Sequence, residues 1–397
     1  MLGKTRATRP ESPPIMPSAL PSDPIFDLAV VGAGIIGLGH ALAAARRGLK
    51  TVVIDRDAQA NGASIRNFGF ITVTGQAGGA MWQRARRARD VWDEIVGPAG
   101  IPVIHRGTAI LARSDEALAV AREFAAGEMG EGCTVLPPTA LDDKMPVARR
   151  DGLKGFLWSP HELRVEPRTA VPAIAKWLEA AHGVTFLRGA AVHGVAPPRI
   201  ETSRGSVRAA RAIVCPGPDL VTLFPDTIAK YRPTLCKLHM LRLAPQGPGW
   251  KLGASVMMDL SFGRYLGFDG CPSVAALRAR IAALEPETLA NGIHLIVVQS
   301  ADGSLVVGDS HHYAPTPDPF APDGVDQLIL RHAKETLDLA DDRIVERWTG
   351  VYPSSANDVP AFFDTPAPDV RVAMVTSGAG MSTGFALAEE VIADLYG

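Results

Sequence analysis

Net charge is nearly absent from this chain: 40 Lys and Arg stand against 42 Asp and Glu, leaving −2 at pH 7. Such a balance excludes nucleic acid or an anionic membrane surface as the main partner. Long apolar runs are missing as well, and none approaches the ~20 residues that span a bilayer. Cysteine is sparse. Cys133, Cys215, Cys236 and Cys271 form no C-x-x-C and no zinc spacing, so they read as reduced thiols of a cytoplasmic protein. The chain also lacks G-x-S-x-G, H-E-x-x-H and a Walker motif, which removes the commonest hydrolytic and phosphoryl-transfer signatures.

What remains is an ordinary globular composition, 47% hydrophobic and 21% charged over 397 residues. That length exceeds one typical domain and can bury a large core. Residues 1–24 stand apart, with six prolines and three basic residues. They carry no apolar core of the ~7–15 residues that a secretory signal needs. A disordered tail is expected there, and Met16 offers an alternative translation start.

The richest stretch is Leu28–Asp55. Ala29-Val30-Val31 runs into Gly32-Ala33-Gly34-Ile35-Ile36-Gly37, an apolar helix follows from Leu38 to Arg47, and a second strand, Thr51–Ile54, ends in Asp55. This is a dinucleotide fingerprint in its strand–turn–helix–strand context. Gly32 permits the tight turn, Gly34 admits a pyrophosphate to the backbone, and Gly37 lets helix and strand pack closely. The free N–H groups of the helix N-terminus favour an anion. Asp55 stands where a carboxylate accepts from ribose hydroxyls.

A second such unit closes the chain. Val372–Thr376 reads as a strand, Ser377–Gly384 as a glycine-rich turn and Phe385–Tyr396 as a helix. Two units some 340 residues apart suit one long ligand held at both ends. FAD fits, because its isoalloxazine lies far from its adenine. A helix N-terminus near the flavin favours the charge of its reduced form.

Between these ends, Ala80–Val96 reads as a basic helix whose Arg84, Arg86, Arg87 and Arg89 form a solvated face. Ile101–Ala112 reads as strand around Gly107, Asp115–Gly127 as helix, Leu141–Met145 as a short turn and 155–165 as strand. Pro167–His182 is an amphipathic helix opened by proline and ended by Gly183. Short strands follow at Val184–Leu187, Ala191–Val195, Ile200–Thr202 and Val207–Ala209. Cys236–Leu243, Ser255–Met258, Tyr265–Phe268, Ile293–Gln299 and Leu305–Gly308 alternate as an antiparallel sheet, interrupted by a helix over Ser273–Ala283 and followed by one over Val325–Leu337. The expectation is an α/β protein. A Rossmann-like FAD-binding domain is assembled from 25–80, 151–224 and 346–397, and a discontinuous antiparallel-sheet substrate domain from 81–150 and 225–345.

An ordered set of motifs resembles the D-amino acid oxidase, glycine oxidase and sarcosine oxidase superfamily of FAD enzymes. These are the fingerprint, Asn61-Gly62-Ala63-Ser64, Leu163-Arg164-Val165-Glu166-Pro167, Ile213-Val214-Cys215-Pro216-Gly217, Trp348–Pro353, Asn357-Asp358-Val359-Pro360 and the Ser377–Gly384 turn. The likeness runs from Phe26 to the end. Ala63–Gly69, Trp158–Arg164 and Gly308-Asp309-Ser310-His311 resemble a bacterial branch linked to phosphonate breakdown. The resemblance implies non-covalent FAD held by Gly32, Gly34, Ile35, Ile36, Gly37, Asp55, Arg56, Ser64, Ile65, Arg66, Asn67, Val192, Cys215, Gly217, Gly378, Gly380, Met381, Ser382 and Thr383. No cysteine lies near the Tyr352 or Ser377 motifs in sequence to form a covalent link, and Arg66 stands where some relatives carry a flavin-linking His.

Flavin amine oxidation needs positioning and desolvation more than a nucleophile, so the catalytic candidates are anchors. Relatives that oxidise amino acids carry an Arg at the turn where this chain has Tyr352, and a phenol cannot replace a guanidinium fork. Arg66 and Arg164 are the expected substitutes, two cations suited to a phosphonate. Arg264 is weaker as an edge-strand residue. Asn67, His239, Tyr265 and His311 are further candidates. His311 and His312 point to opposite faces of a strand, no third ligand is evident, and no metal is expected. Asp358 reads as a turn cap.

The resemblance implies oxidation of a small amine, 2-aminoethylphosphonate or an N-methyl derivative, to an imine and then phosphonoacetaldehyde. The electron acceptor, O₂ or another, stays open. An N-methyl or D-amino acid or a 2-hydroxy acid is the alternative substrate. A non-catalytic flavoprotein subunit is the alternative of another class.

Overall fold

The computed structural model describes residues 25–355 and 359–397. The tail, Met16, Asn357 and Asp358 lie outside the described residues. Two sheets organise the chain. The first is built on Ile25–Val31, which pairs in parallel with Thr51–Asp55 on one side and Gly205–Val214 on the other. Thr185–Arg188 extends one edge in parallel. Val370–Val375 continues the other edge, which antiparallel Ala361–Ala367 closes. The chain leaves Ile25–Val31 towards one side while its other neighbour arrives from far downstream. That switch opens a crevice beyond the strand's carboxyl end, where such sheets hold ligands.

The Val and Ile runs of these strands are buried on both faces, as a parallel core requires. The first helix, Ile35–Arg46, covers one face and stops at Arg47, followed by Gly48 at φ +73°. The C-terminal helix spans Gly380–Tyr396. It begins five residues before the expected Phe385. Of the glycine-rich run only Ser377–Ala379 turns, and the small residues after it are already helical, with Thr383 Oγ1 donating back to the Ala379 carbonyl at 2.9 Å.

The second sheet has ten strands and is mostly antiparallel. Pro233–Leu243 pairs along its whole length with Ile344–Ser355. The order then runs through Leu305–Gly308, Ile296–Gln299, Ser255–Met257, Val103–Ala112 and Gly155–Val165 to Phe70–Ile71. Gly155–Val165 feeds straight into the helix Pro167–His182, which packs in the first unit's core. Tyr265–Phe268 is not a strand. Leu260–Arg264 is a helical turn and Leu266–Phe268 a 3₁₀ turn. Gly267 is pressed against another loop, donating its N–H to the Gly75 carbonyl at 3.0 Å, so the segment has no room for a strand partner.

The helix Ala80–Val96 forms with the expected bounds. Its place in sequence puts it with the substrate domain, yet it packs on the C-terminal helix. The Trp92 ring meets Phe385 edge-on at 5.1 Å, and its Nε1 donates to the Met381 carbonyl at 2.8 Å. Its basic face is not simply solvated. Arg84 pairs with Glu390 at 2.6 Å and Arg87 with Glu389 at 2.8 Å. All four cysteines are free thiols, and no helix among the described residues is long and apolar enough to cross a membrane.

Trp92 is fully buried and fixes the start of the C-terminal helix. Trp92→Ala is expected to cost about 3–5 kcal/mol of stability through the cavity it leaves. A urea titration that shows less than about 1 kcal/mol would contradict this packing account.

Candidate active site

The first helix starts at the carboxyl end of the central strand. Gly34 is its extended N-cap and offers no side-chain cap. Ser64 supplies one instead, its Oγ accepting the Ile35 N–H at 2.9 Å. The next first-turn N–H groups have no intrahelical acceptor, and Ile36 and Gly37 face the cleft. Asp55, at the end of the second strand, ties the glycine turn down. Its Oδ2 accepts the Ala33 N–H at 2.6 Å and its Oδ1 the Asp57 N–H at 2.8 Å. A carboxylate has about four acceptor positions, so capacity for hydroxyl donors is left over.

The N-terminus of the C-terminal helix reaches the same cleft through Gly378, Ala379, Gly380, Met381 and Ser382. Neither helix has an acidic residue in its first turn. Gly34 and Gly378 keep side chains out of the cleft walls: a Cβ on Gly34 meets Ser64 Oγ at 3.0 Å, and one on Gly378 meets the Tyr352 ring at 3.1 Å. The cleft holds about 470 Å³. Two helix N-termini free of acid, joined by a glycine-lined groove, fit a long anionic dinucleotide such as FAD.

Most sequence candidates meet here. Gly34, Ile35, Ile36, Gly37, Ser64, Arg66, Asn67, Cys215, Gly217, Gly378, Gly380, Met381, Ser382, Tyr265, His311 and Tyr352 line the cleft. Asn67 is locked by its own loop, donating from Nδ2 to the Ala63 and Ser64 carbonyls and accepting the Gly69 N–H. Arg66 is half-buried, and Nη2 donates to Asn61 Oδ1 at 3.2 Å.

Other candidates stand off the cleft lining. Gly32 and Asp55 shape the turn behind it. Arg56 is exposed and pairs with Asp219 at 3.3 Å. Ile65 packs into the core around the first helix. Val192 is buried with Leu187 and Ile200, and Thr383 is spent on its own helix. Arg164 is fully buried and bonded to Glu166 at 3.1 Å. Burial lowers its pKa to about 10 against the pull of Glu166. His239 is a core histidine, with Nδ1 3.2 Å from Asp326. Neither Arg164 nor His239 lines the cleft, and both side chains are buried.

Sequence reasoning gave Arg264 less weight and did not name His294, Asp309 or Tyr313 as site residues. Arg264 is not an edge-strand residue. It ends a helical turn on the cleft wall and donates from Nη2 to Tyr313 Oη at 3.1 Å. Asp309 follows the strand Leu305–Gly308 and is buried between two imidazoles. His294 Nε2 lies 3.2 Å from its Oδ1 and His311 Nε2 3.7 Å from its Oδ2. Burial pushes the Asp309 carboxyl up, but His311, His294 and Arg264 outweigh it and hold it down at about 2. Burial pushes His311 down to about 3 against the pull of Asp309, and lowers His294 in the same way. The carboxylate is thus ionised and both rings neutral at pH 7. A third polar partner for His311 does exist, supplied from remote sequence. The phenols of Tyr265 and Tyr352 are pushed up by burial and stay protonated. Cys236 sits opposite Tyr352 across the strand pair, although it is remote in sequence. Burial raises it to about 11 and raises Cys215 as well, so neither is a ready nucleophile.

Two outcomes follow for the purified protein. It is expected to be yellow and to release FAD on acid precipitation, because both nearby thiols stay neutral; flavin retained in the washed pellet would show a covalent link. Gly34→Val is expected to lower FAD occupancy by roughly tenfold or more, since a β-branched side chain blocks the pyrophosphate's approach. Full occupancy in a folded variant would mean that the turn is read wrongly.

No curated protein matches the chain in sequence. Solved structures share its fold. Glycine oxidase from Bacillus cereus superposes with a TM-score of 0.74 at 16% identity, covering 93% of this chain and 96% of that one. L-proline dehydrogenase from P. horikoshii gives 0.74 at 17% identity, with 93% and 94% covered. The L-α-glycerophosphate oxidase of Mycoplasma pneumoniae, solved with FAD bound, gives 0.70 at 15%, with 94% and 95% covered. The family model described as FAD dependent oxidoreductase matches residues 27–395. With two helix N-termini and a glycine-lined groove shaped for the dinucleotide, the chain belongs to the FAD-dependent oxidoreductases of the D-amino acid oxidase family.

Proposed function

We propose that the protein oxidises a small amine that also carries an anionic group, with 2-aminoethylphosphonate or an N-methyl derivative as substrate. One observation carries the reading. Arg66 and Arg264 both line the cleft, and neither is ion-paired to a carboxylate among the described residues. The turn where amino acid-oxidising relatives hold a carboxylate bears Tyr352, a buried neutral phenol. The anion-binding duty therefore passes to residues elsewhere on the wall. Arg164, the other expected anchor, is engaged by Glu166 and is withdrawn from the proposal.

FAD supplies the hydride acceptor when bound. The chain's part is positioning. Arg264 keeps its charge: burial opposes it, while Tyr313, Tyr352 and Asp309 favour it. Its planar fork suits an oxyanion with several acceptor oxygens. Leu238, Phe68, Phe70 and Ile296 add an apolar stretch to the wall, which excludes water around the reacting carbon. The imine product hydrolyses in water to an aldehyde.

Anaerobic mixing with a panel of amines tests this. Bleaching by 2-aminoethylphosphonate is expected to exceed that by β-alanine in kcat/KM. Leaving a buried anion unpaired costs about 2–5 kcal/mol, so Arg264→Ala or Arg66→Ala at the true anchor should lower the phosphonate's kcat/KM by roughly 30-fold or more. Equal rates for the two substrates, or unaltered phosphonate kinetics in both variants, would remove the phosphonate reading.

A further inference from the structure

We propose that Asp309 and His311 together bind the protonated amine of the substrate, with His294 steadying the carboxylate from its other side. The inference rests on the reading of the cleft as an amine site and assigns the partner of the nitrogen.

The neighbours of His311 fix its tautomer. The Gly292 carbonyl lies 2.8 Å from Nδ1 and can only accept, so Nδ1 carries the ring's proton. The lone pair of the neutral ring is then on Nε2, which faces Asp309 Oδ2 at 3.7 Å. Two acceptors confront each other, and they repel unless a donor stands between or beside them. The other oxygen is no better served. His294 Nε2 is near Oδ1, yet Oδ1 has no hydrogen bond of good geometry among the described residues. Asp309 is only 6% exposed. A buried carboxylate with unmet acceptors is costly, and a charged N–H donor relieves that cost. An ammonium group offers up to three donors and can serve Oδ2 and Nε2 at once.

The surroundings select the kind of cation. Tyr265 and Tyr352 face this corner, with Cys236 paired to Tyr352 on the next strand and the half-exposed Tyr313 bonded to Arg264, and all four keep their protons and stay uncharged. Arg264 also acts as a charge on Asp309 and on both imidazoles. One wall thus presents a cationic and an anionic position side by side, the complement of a zwitterion. A divalent metal is the competing occupant, because the ligand atoms of His294, Asp309 and His311 lie within 4.8 Å of one another. The Arg264 charge disfavours a dication there. A substrate whose own anion neutralises Arg264 meets no such repulsion.

The FAD-loaded protein can be titrated with 2-amino-2-methylpropylphosphonate, whose carbon next to nitrogen has no hydrogen to give. Neopentylphosphonate, which replaces the amine with a methyl group, is the control. Perturbation of the flavin spectrum and titration calorimetry report both affinities. The wild type is expected to prefer the amine by about tenfold or more, the scale of a charge-assisted contact. Asp309→Asn and His311→Gln should each abolish that preference while binding the control as before. If Asp309→Asn fails to hold FAD, His311→Gln alone decides. No preference in the wild type, a preference that survives both variants, or equal weakening of both ligands would overturn the assignment. So would one equivalent of divalent metal per chain, by elemental analysis, that is lost in His311→Gln. A wild type that no amine bleaches sinks the proposed function instead, and that result is separate from the binding preference measured here.

Discussion

Everything at this site depends on how closely two helices approach each other. At Gly39 of the first helix a Cβ would lie 3.2 Å from the Gly384 carbonyl oxygen of the C-terminal helix and 3.3 Å from Ala388 Cβ. At Gly37 it would lie 1.8 Å from the Gly32 carbonyl oxygen. Side chains at these positions would push the helices apart, or push the first one off its strand. With glycine there, both helices descend onto one sheet and aim their N-termini into one cleft. The pairs Arg84–Glu390 and Arg87–Glu389, with the Trp92 ring beneath them, hold a third helix against the same contact. Exposed ion pairs of this kind contribute little each; the buried ring carries the attachment.

The two walls of the cleft then differ in origin and in charge. One is backbone: unpaired amides at two helix ends, with no acid in either first turn. It suits an anionic cofactor whose phosphates need many weak donors. The other is side chains on and beside the second sheet: Arg264, His294, Asp309, His311, Tyr313 and Tyr352. Its charges are few and fixed by burial, so they serve a small ligand whose groups must be placed one by one. Backbone holds the cofactor on which the family depends. Side chains on the opposite wall are free to change with the substrate.

That division explains what the sequence disclosed. The cofactor wall was legible because its signals are local: a strand, three glycines, a helix and an acid within one stretch. The substrate wall was not. His294 and Asp309 are 15 positions apart, Arg264 is 45 from Asp309, and nothing in the alternation of either segment marks the meeting. Cys236 looked remote from Tyr352 because they are 116 positions apart, yet antiparallel pairing sets them opposite each other. Arg164 shows the reverse. It lies within a motif-bearing segment, but Glu162–Val165 is buried throughout, and there Glu166 holds it off the cleft lining. Tyr265–Phe268 alternates like a strand, and only the close backbone contact at Gly267 and Gly75 decides that it is not one.

Tyr352 joins the two walls of the cleft. Its ring lies under Gly378, at the junction of the cofactor wall and the substrate wall, so a change there alters both. A guanidinium in its place would stand near Asp309, whose charge already acts on the Tyr352 hydroxyl. It would compete with any ammonium for that carboxylate. A neutral phenol leaves both Asp309 and Arg264 on the cleft wall without a competing guanidinium, as the proposed amine and anion positions require. Loss of the clamp and exposure of a buried carboxylate to the cleft are therefore one arrangement. On the proposed function, that arrangement would place the anionic end of the substrate away from the flavin-side turn and its nitrogen towards Asp309 and His311.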